Sequence, residues 1–313
     1  VNTLPSRDAI VATAGESIAR GSKSFAAASR LFDRRTRERA WLLYAWCRAC
    51  DDIADGQDHG HGMTVVTDAP ARLNRLSAMT EAALAGDWVG DPAFDALRIV
   101  AAETKMPARF ARDLVAGFAL DAREWRPRSE DDLYGYCYHV AGAVGCMMAV
   151  AMGVPPDDEA TLDRACDLGI AFQLANIARD IEEDDRVGRC YLPEAWLVEM
   201  DIPPGQHMKP PFRQRLAVLA QRLATRAAAF EASARAGTPA LPFRSAWAVL
   251  AAAGIYGAIG REVARRGEHA WDRRVSTPAG TKIAMIARAA REAVQRTTLY
   301  PPAPRDDLWT RPR

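Results

Sequence analysis

A chain of 313 residues can form one large domain or two ordinary ones, and with 49% hydrophobic residues it can bury a substantial core, which argues against disorder. Its 41 Lys+Arg against 40 Asp+Glu leave a formal net charge of +1, so no global field gathers nucleic acid or an acidic membrane and any functional charge is local. The six cysteines, Cys47, Cys50, Cys137, Cys146, Cys166 and Cys190, are scattered through apolar stretches, as expected of reduced core residues in a cytosolic protein.

No signal peptide is read at the N-terminus, because Arg7, Asp8, Glu16 and Arg20 interrupt any apolar core. Helices are predicted over 24–56, 69–86, 91–104, 108–123, 130–152, 158–186, 211–236, 243–267 and 278–298. Ala, Leu and Arg abound and no segment sustains a period of two. The stretch 56–68, rich in Gly, His and Asp, reads as an exposed loop. Cys47 and Cys50 form a C-x-x-C, but no second cysteine or histidine pair completes a zinc set and no strand precedes them, so they read as two small residues on one helix. Ser129 ahead of Glu130, Asp131 and Asp132 is a helix start, and Gly153 with Pro155 and Pro156 a stop. Between them, 133–156 contains no Asp, Glu, Lys or Arg and is long enough to raise a membrane span. Its tyrosines, His139 and many Gly and Ala fit a central helix apolar all round better. Pro203, Pro204, Gly205, Pro210 and Pro211 mark one loop; Gly237, Pro239 and Pro242 mark another. The fold class is therefore all-α, with one domain over 1–300 and an irregular tail over 301–313. No G-x-G-x-x-G is present, and the glycine spacing around Gly21-Ser22-Lys23-Ser24 is not that of a phosphate loop.

Two acidic clusters interrupt this apolar background. Asp51 and Asp55 lie one helical turn apart, with Arg48 on the same stripe, after the apolar and aromatic run 41–46. Asn176, Asp180 and Asp184 repeat at i, i+4 and i+8, with Gln173 close to their line, on a helix whose preceding turns are mostly apolar. Like charges at this spacing are unfavourable without compensation. If the two clusters converge, their carboxylates require cations, and hard divalent ions with oxygen ligands are the natural ones. Zinc fits less well, since neither cluster offers His or Cys in a ligand arrangement. Lys23, Arg48, Arg179, Arg189 and Arg273 are candidate phosphate ligands. The uncharged helix around Tyr136 and the stretch 246–259, including Tyr256, are candidate apolar walls; their Gly and Ala equally suit close helix packing.

The order of these segments resembles the squalene and phytoene synthase family. The matching pieces are Gly21-Ser-Lys-Ser-Phe25, Tyr44 to Asp55 with its Asp-Asp-x-x-Asp, Tyr136-Cys-Tyr-His-Val-Ala-Gly142, Gln173 to Asp184, and Arg189-Cys-Tyr-Leu-Pro193. The resemblance spans about 15–275 and is most like the bacterial enzymes that make phytoene. It implies a single helical bundle around a deep central cavity, with two aspartate-rich motifs facing each other and binding Mg2+ or Mn2+ through Asp51, Asp55, Asn176, Asp180 and Asp184. It also implies diphosphate contacts from Ser22, Lys23, Arg48, Arg179 and Arg273, a polar end lined by Gln173 and Asn176, and a reaction chamber lined by Phe25, Tyr44, Tyr136, Tyr191 and Tyr256.

The implied reaction joins two geranylgeranyl diphosphates head to head through prephytoene diphosphate. Two farnesyl diphosphates are the alternative, and cavity depth decides between them. No nicotinamide cofactor is expected, since no dinucleotide signature is present, and no C-terminal membrane anchor is read. Metal preference, stimulation by ATP, product stereochemistry and oligomeric state stay open at this stage. The expected location is the cytoplasm, with peripheral contact at the inner membrane for release of a hydrocarbon product, and no nucleic acid partner is expected.

Overall fold

The structure, a computed structural model, describes residues 4–21, 26, 28–55, 68–305 and 307–313, with only the backbone of Asp55. Among the described residues the regular structure is helical and no strand occurs. The chain divides into two compact units, Val1–Arg123 with Cys146–Leu162, and Glu124–Gly145 with Asp163–Arg313.

The first unit contains α1 (Arg7–Gly21), α2 (Arg34–Asp55), α3 (Ala69–Ala85), α4 (Pro92–Thr104) and α5 (Ala108–Asp121). Helix α1 was not among the predicted elements, yet Ile10, Val11, Ala14 and Ile18 form a buried stripe at helical spacing. Gly15 lets it sit close to the Trp41 ring, where a Cβ would come within 3.1 Å of the indole. Arg7 of α1 ties this contact down, pairing with Glu38 of α2 at 2.7 Å and with Glu103 of α4, which Arg39 also meets at 3.1 Å. The predicted helix over 24–56 is broken: residues 26, 28 and 29 are helical, 30–33 are not, and α2 begins at Arg34. The cause is Asp33, whose carboxylate accepts from the Thr36 N–H at 3.0 Å and from its hydroxyl at 2.8 Å, a side-chain cap that begins a new helix. Leu42, Leu43, Ala45, Trp46 and Cys50 then face inward and are buried. Asp95, with no exposed surface, accepts from the Val89 and Gly90 N–H groups at 3.0 and 3.1 Å and so fixes the turn between α3 and α4.

The second unit begins with α6 (Glu130–Cys137), entered through a capping box in which Ser129 and Asp132 satisfy each other's backbone N–H. The predicted single helix over 130–152 is continuous in the chain but passes through a π-helical turn, Tyr138–Gly142, before α7 (Ala143–Ala151), whose residues from Cys146 on are counted with the first unit. Among the described residues two stretches are apolar and long enough to cross a membrane, Glu130–Ala151 and Phe243–His269; 61% of the most apolar window of the first is buried inside the protein, as a core helix would be. Helix α8 (Glu159–Arg186) packs backbone to backbone against the π turn. A Cβ on Gly169 would strike the Ala141 carbonyl and come within 2.7 Å of the Gly142 Cα, and one on Gly145 would strike the Ala165 carbonyl. The small residues noted in the sequence serve close helix packing here.

Beyond α9 (Glu194–Glu199), α10 (Arg213–Arg235), α11 (Phe243–Arg266), α12 (Ala279–Val294) and α13 (Arg296–Leu299) complete the unit. The tail 301–313 is irregular where described but firmly attached. Arg305 pairs with the buried Asp167 of α8 at 2.6 Å, and Arg311 and Arg313 each reach Asp163 at 2.9 Å.

Candidate active site

On α2 the polar face is narrow. Tyr44, Cys47, Arg48, Asp51 and Asp52 are half-buried, while their neighbours Leu43, Trp46 and Cys50 are buried. Arg48 bridges both acids, reaching Asp51 at i+3 and 2.9 Å and Asp52 at i+4 and 2.6 Å, so these two carboxylates are met by a cation on the same helix. Burial pulls the Arg48 guanidinium down, but its hydrogen bond to Asp52 and the field of Asp51 outweigh this and keep it firmly charged. Burial pushes the Cys47 thiol up to about 12, the Asp51 charge adding to it, and pushes Cys50 up as well. Both thiols are held in the neutral form. Tyr44 is raised mainly by burial, and its hydroxyl lies against Gly21, where a side chain would collide with it.

On α8 the stripe Phe172, Gln173, Asn176, Arg179, Asp180, Glu183 and Asp184 is half-open, whereas Leu174, Ile177, Ala178 and Ile181 are buried. Asp180 is held twice. Its sequence neighbour Arg179 grips it through two guanidinium nitrogens, one at 2.7 Å, and Arg274 reaches it at 3.0 Å from the loop after α11 while also pairing with Glu183. Burial lowers Arg179, and the pairing with Asp180 more than restores it. The loop carrying Arg274 is pinned by Trp271, whose indole N–H donates to the Ala178 carbonyl at 3.1 Å. Arg273 is exposed and offers its backbone carbonyl to Arg266 at 3.0 Å; its guanidinium makes no ion pair among the described residues. The segment after α8 is held by Arg189 N–H donating to the Asp184 carbonyl at 2.8 Å and by Arg126 donating to the Gly188 carbonyl at 3.1 Å. Behind it His207 is buried 3.4 Å from Asp185.

Two aromatic groups lie in the second unit, and one of them joins this stripe. Tyr136 lies between Trp125 and Tyr191, stacked on both with ring centroids 5.7 and 4.9 Å apart. Tyr256 of α11 stacks on Phe172 of α8 at 4.2 Å and contributes to the field at Arg179. Thus Tyr136 and Tyr191 meet, and Tyr256 stands beside the acidic helix. Trp125, Phe172 and Arg274 are candidates that sequence reading missed. Phe172 adjoins Gln173 and was within reach; Trp125 and Arg274 carried no local signal.

Ser22, Lys23 and Phe25 lie outside the described residues, as does the side chain of Asp55. A cavity of about 290 Å3 in the second unit is lined by Leu250, Met285 and a mutually paired set of charges, Glu231, Arg235, Arg261, Arg288 and Glu292; it contains none of the predicted site residues.

The donor chemistry of the two motifs is carboxylate and carboxamide oxygen. Among the described residues no group of three or more His, Cys, Asp or Glu is placed to hold a metal ion. That donor set fits magnesium or manganese better than zinc, since Mg2+ takes one or two carboxylates and completes its shell with water and phosphate oxygens.

An all-α fold with a carboxylate–arginine stripe beside stacked aromatics is that of an isoprenoid synthase. The squalene/phytoene synthase family model matches residues 18–281, and the chain belongs to that family. It is 46% identical over 300 residues to the 15-cis-phytoene synthase of Pantoea ananas, covering 95% of this chain and 96% of that one. It is 43% identical to the 15-cis-phytoene synthase of a Paracoccus species, covering 97% and 98%. Among solved structures, a dehydrosqualene synthase in complex with ligand superposes with a TM-score of 0.81 at 25% identity, covering 92% of this chain and 98% of that one.

Proposed function

We propose that this chain joins two geranylgeranyl diphosphates head to head, through prephytoene diphosphate, to phytoene, releasing diphosphate in carotenoid biosynthesis. The observation that carries the reading is 43–47% identity to bacterial phytoene synthases over nearly the whole length of both partners. The alternative, condensation of two farnesyl diphosphates, has the support of the dehydrosqualene synthase likeness at lower identity.

In this reading Asp51, Asp55, Asn176, Asp180 and Asp184 hold Mg2+ or Mn2+, and both acidic motifs serve the same turnover. Bound there, the ion stabilises negative charge on the leaving diphosphate. The chain's own contribution begins with Arg48, Arg179 and Arg274. Each already grips a carboxylate and can exchange it for phosphate oxygens, charge-assisted bonds of the strong kind. Ser22, Lys23 and Arg273 are assigned to the same diphosphates.

When the allylic C–O bond breaks, both electrons leave with the diphosphate. The 2,3 double bond of the second substrate attacks the cation, and proton loss closes the cyclopropane. A second ionisation, ring opening and proton loss give phytoene. Tyr136 between Trp125 and Tyr191, and Tyr256 on Phe172, turn aromatic π faces toward one another and toward their surroundings, surfaces that favour a carbocation and exclude water. A C40 hydrocarbon is insoluble, so the reading places the enzyme in the cytoplasm with its product passing into the inner membrane.

The test is incubation with radiolabelled C20 or C15 diphosphate and Mg2+ or Mn2+, with chain length read by chromatography. A C40 product from the C20 substrate is expected. A C30 product alone would establish the farnesyl alternative, and no condensation with either would remove the reading.

A further inference from the structure

The condensation chemistry makes no use of the tail, yet the tail is bound to the helix that carries the second acidic motif. Asp163 and Asp167 stand one turn apart near the start of α8, and both are buried. Like charges at this spacing, taken out of water, are unfavourable unless cations meet them. The tail supplies the cations. Arg305 donates to Asp167 through two nitrogens, at 2.8 and 2.6 Å. Arg311, itself buried, and Arg313 each reach Asp163 at 2.9 Å. Ser233 of α10 donates its hydroxyl to Asp167 as well. Buried ion pairs gain little over apolar packing in net stability; what they can set is registry.

Arg305 has a second task. The nitrogen that meets Asp167 at 2.6 Å also donates to the Trp309 carbonyl at 3.1 Å, so the same guanidinium that grips α8 fixes the backbone at Trp309. The Trp309 ring then lies against Tyr138, with centroids 5.8 Å apart and planes inclined by 44°. Tyr138 is buried and is the first residue of the π turn. Its ring folds back over that turn: a Cβ on Gly142 would come within 3.1 Å of it and within 2.9 Å of the Cys166 sulfur of α8. The turn is thus held by α8 and by the tail. Relaxing it to an ordinary α-helical turn would rotate the residues before it by about 100° relative to those after it. Tyr136, stacked between Trp125 and Tyr191, stands two residues before it.

We propose that Trp309, locked to α8 through Arg305, is a positioning residue of the synthase: it holds the π turn and thereby fixes the direction of Tyr136. The proposal deepens, and rests on, the reading above that Tyr136 belongs to the chamber in which the carbocation forms. Each link lies within the second unit: Asp167 to Arg305, Arg305 to Trp309, Trp309 to Tyr138, and Tyr138 through the helix to Tyr136. Trp309 touches neither substrate nor metal in this account. It acts through the orientation of an aromatic face, which matters most when charge develops in the transition state.

The test compares wild type, Trp309→Ala and Trp309→Phe in the full chain by turnover of labelled C20 diphosphate and by hydrogen–deuterium exchange of the amides of 138–142. Trp309→Ala is expected to lower kcat about tenfold or more. KM is expected to stay within about twofold, because the orientation of Tyr136 serves the transition state rather than substrate binding. Exchange at 138–142 is expected to quicken by at least about tenfold, and Trp309→Phe to recover most of both effects. Wild-type kcat or wild-type exchange in Trp309→Ala overturns the proposal. So does a fall in kcat that only matches the loss of folded protein seen by circular dichroism, or one that Trp309→Phe leaves unrelieved. Exchange is read without substrate, so failure of the synthase reading, no product from wild type, and failure of the hold on the turn, no change in exchange, are separate results.

Discussion

The two acidic motifs reach electrostatic balance by different routes. On α2 one arginine, Arg48, serves both Asp51 and Asp52 from the same helix, and Asp51 keeps 41% of its side chain exposed. On α8, Asp180 is enclosed by Arg179 beside it and Arg274 from a distant loop, and is 19% exposed. The first arrangement is a local consequence of helical spacing. The second requires the tertiary fold, because Trp271 must anchor its loop on Ala178 before Arg274 can arrive. A motif stabilised from outside its own helix is sensitive to mutations far from it in sequence, and a locally stabilised one is not.

The comparison breaks first at Asp180. Asp180→Asn is expected to lower turnover on the order of 10²–10³-fold while leaving the melting temperature nearly unchanged, read by product formation and circular dichroism. A variant as active as wild type would reduce the stripe to a structural ion-pair network. The next effect sharpens it: Arg274→Gln is expected to cost about tenfold in turnover, and Arg273→Gln much less. The reverse ranking would show that Arg273, chosen from the sequence, is the diphosphate ligand and that the Arg274 pair is incidental. The corresponding substitution on α2, Arg48→Gln, acts on Asp51 and Asp52 without altering any loop.

Stability separates the regions as well. Gly169→Val forces a side chain into the Ala141–Gly142 backbone and is expected to cost about 3 kcal/mol, measured by chemical denaturation. An unchanged midpoint would mean that the helices can part without penalty. The smallest effect concerns His207, whose ring nitrogens have no hydrogen-bond partner among the described residues. Burial lowers its pKa below the usual 6.5, against the opposing charge of Asp185. The unfolded chain therefore binds the proton more readily. The contribution is fully present above about pH 6.5 and is lost as pH falls through the lowered folded value. His207→Asn should flatten stability against pH in that window by about 1 kcal/mol or less; an identical profile would mean that His207 does not titrate there.

Much of this was legible in the sequence because its causes are local. Ser129 and Asp132 announce the capping box, Arg48-Asp51-Asp52 announces its own ion pairs, and the apolar periodicity gives most of the helices. What escaped depended on distance or on competition between weak signals. The break at 30–33 within the predicted helix 24–56 escaped, because the Asp33 cap is a two-residue event inside a run of good helix formers. Helix α1 escaped because its buried stripe, Ile10, Val11, Ala14 and Ile18, is short and set among charges. The π turn has no sequence mark, and Trp125 and Arg274 meet the site residues only through the fold.

The central claim is that the α2 and α8 acids act as one catalytic unit, and turnover of Asp51→Asn, Asp180→Asn and the double variant tests it most directly. If they do, the double variant loses little more activity than either single one, as groups in one machinery behave. Losses that multiply, or an Asp51→Asn enzyme with full activity, would contradict it.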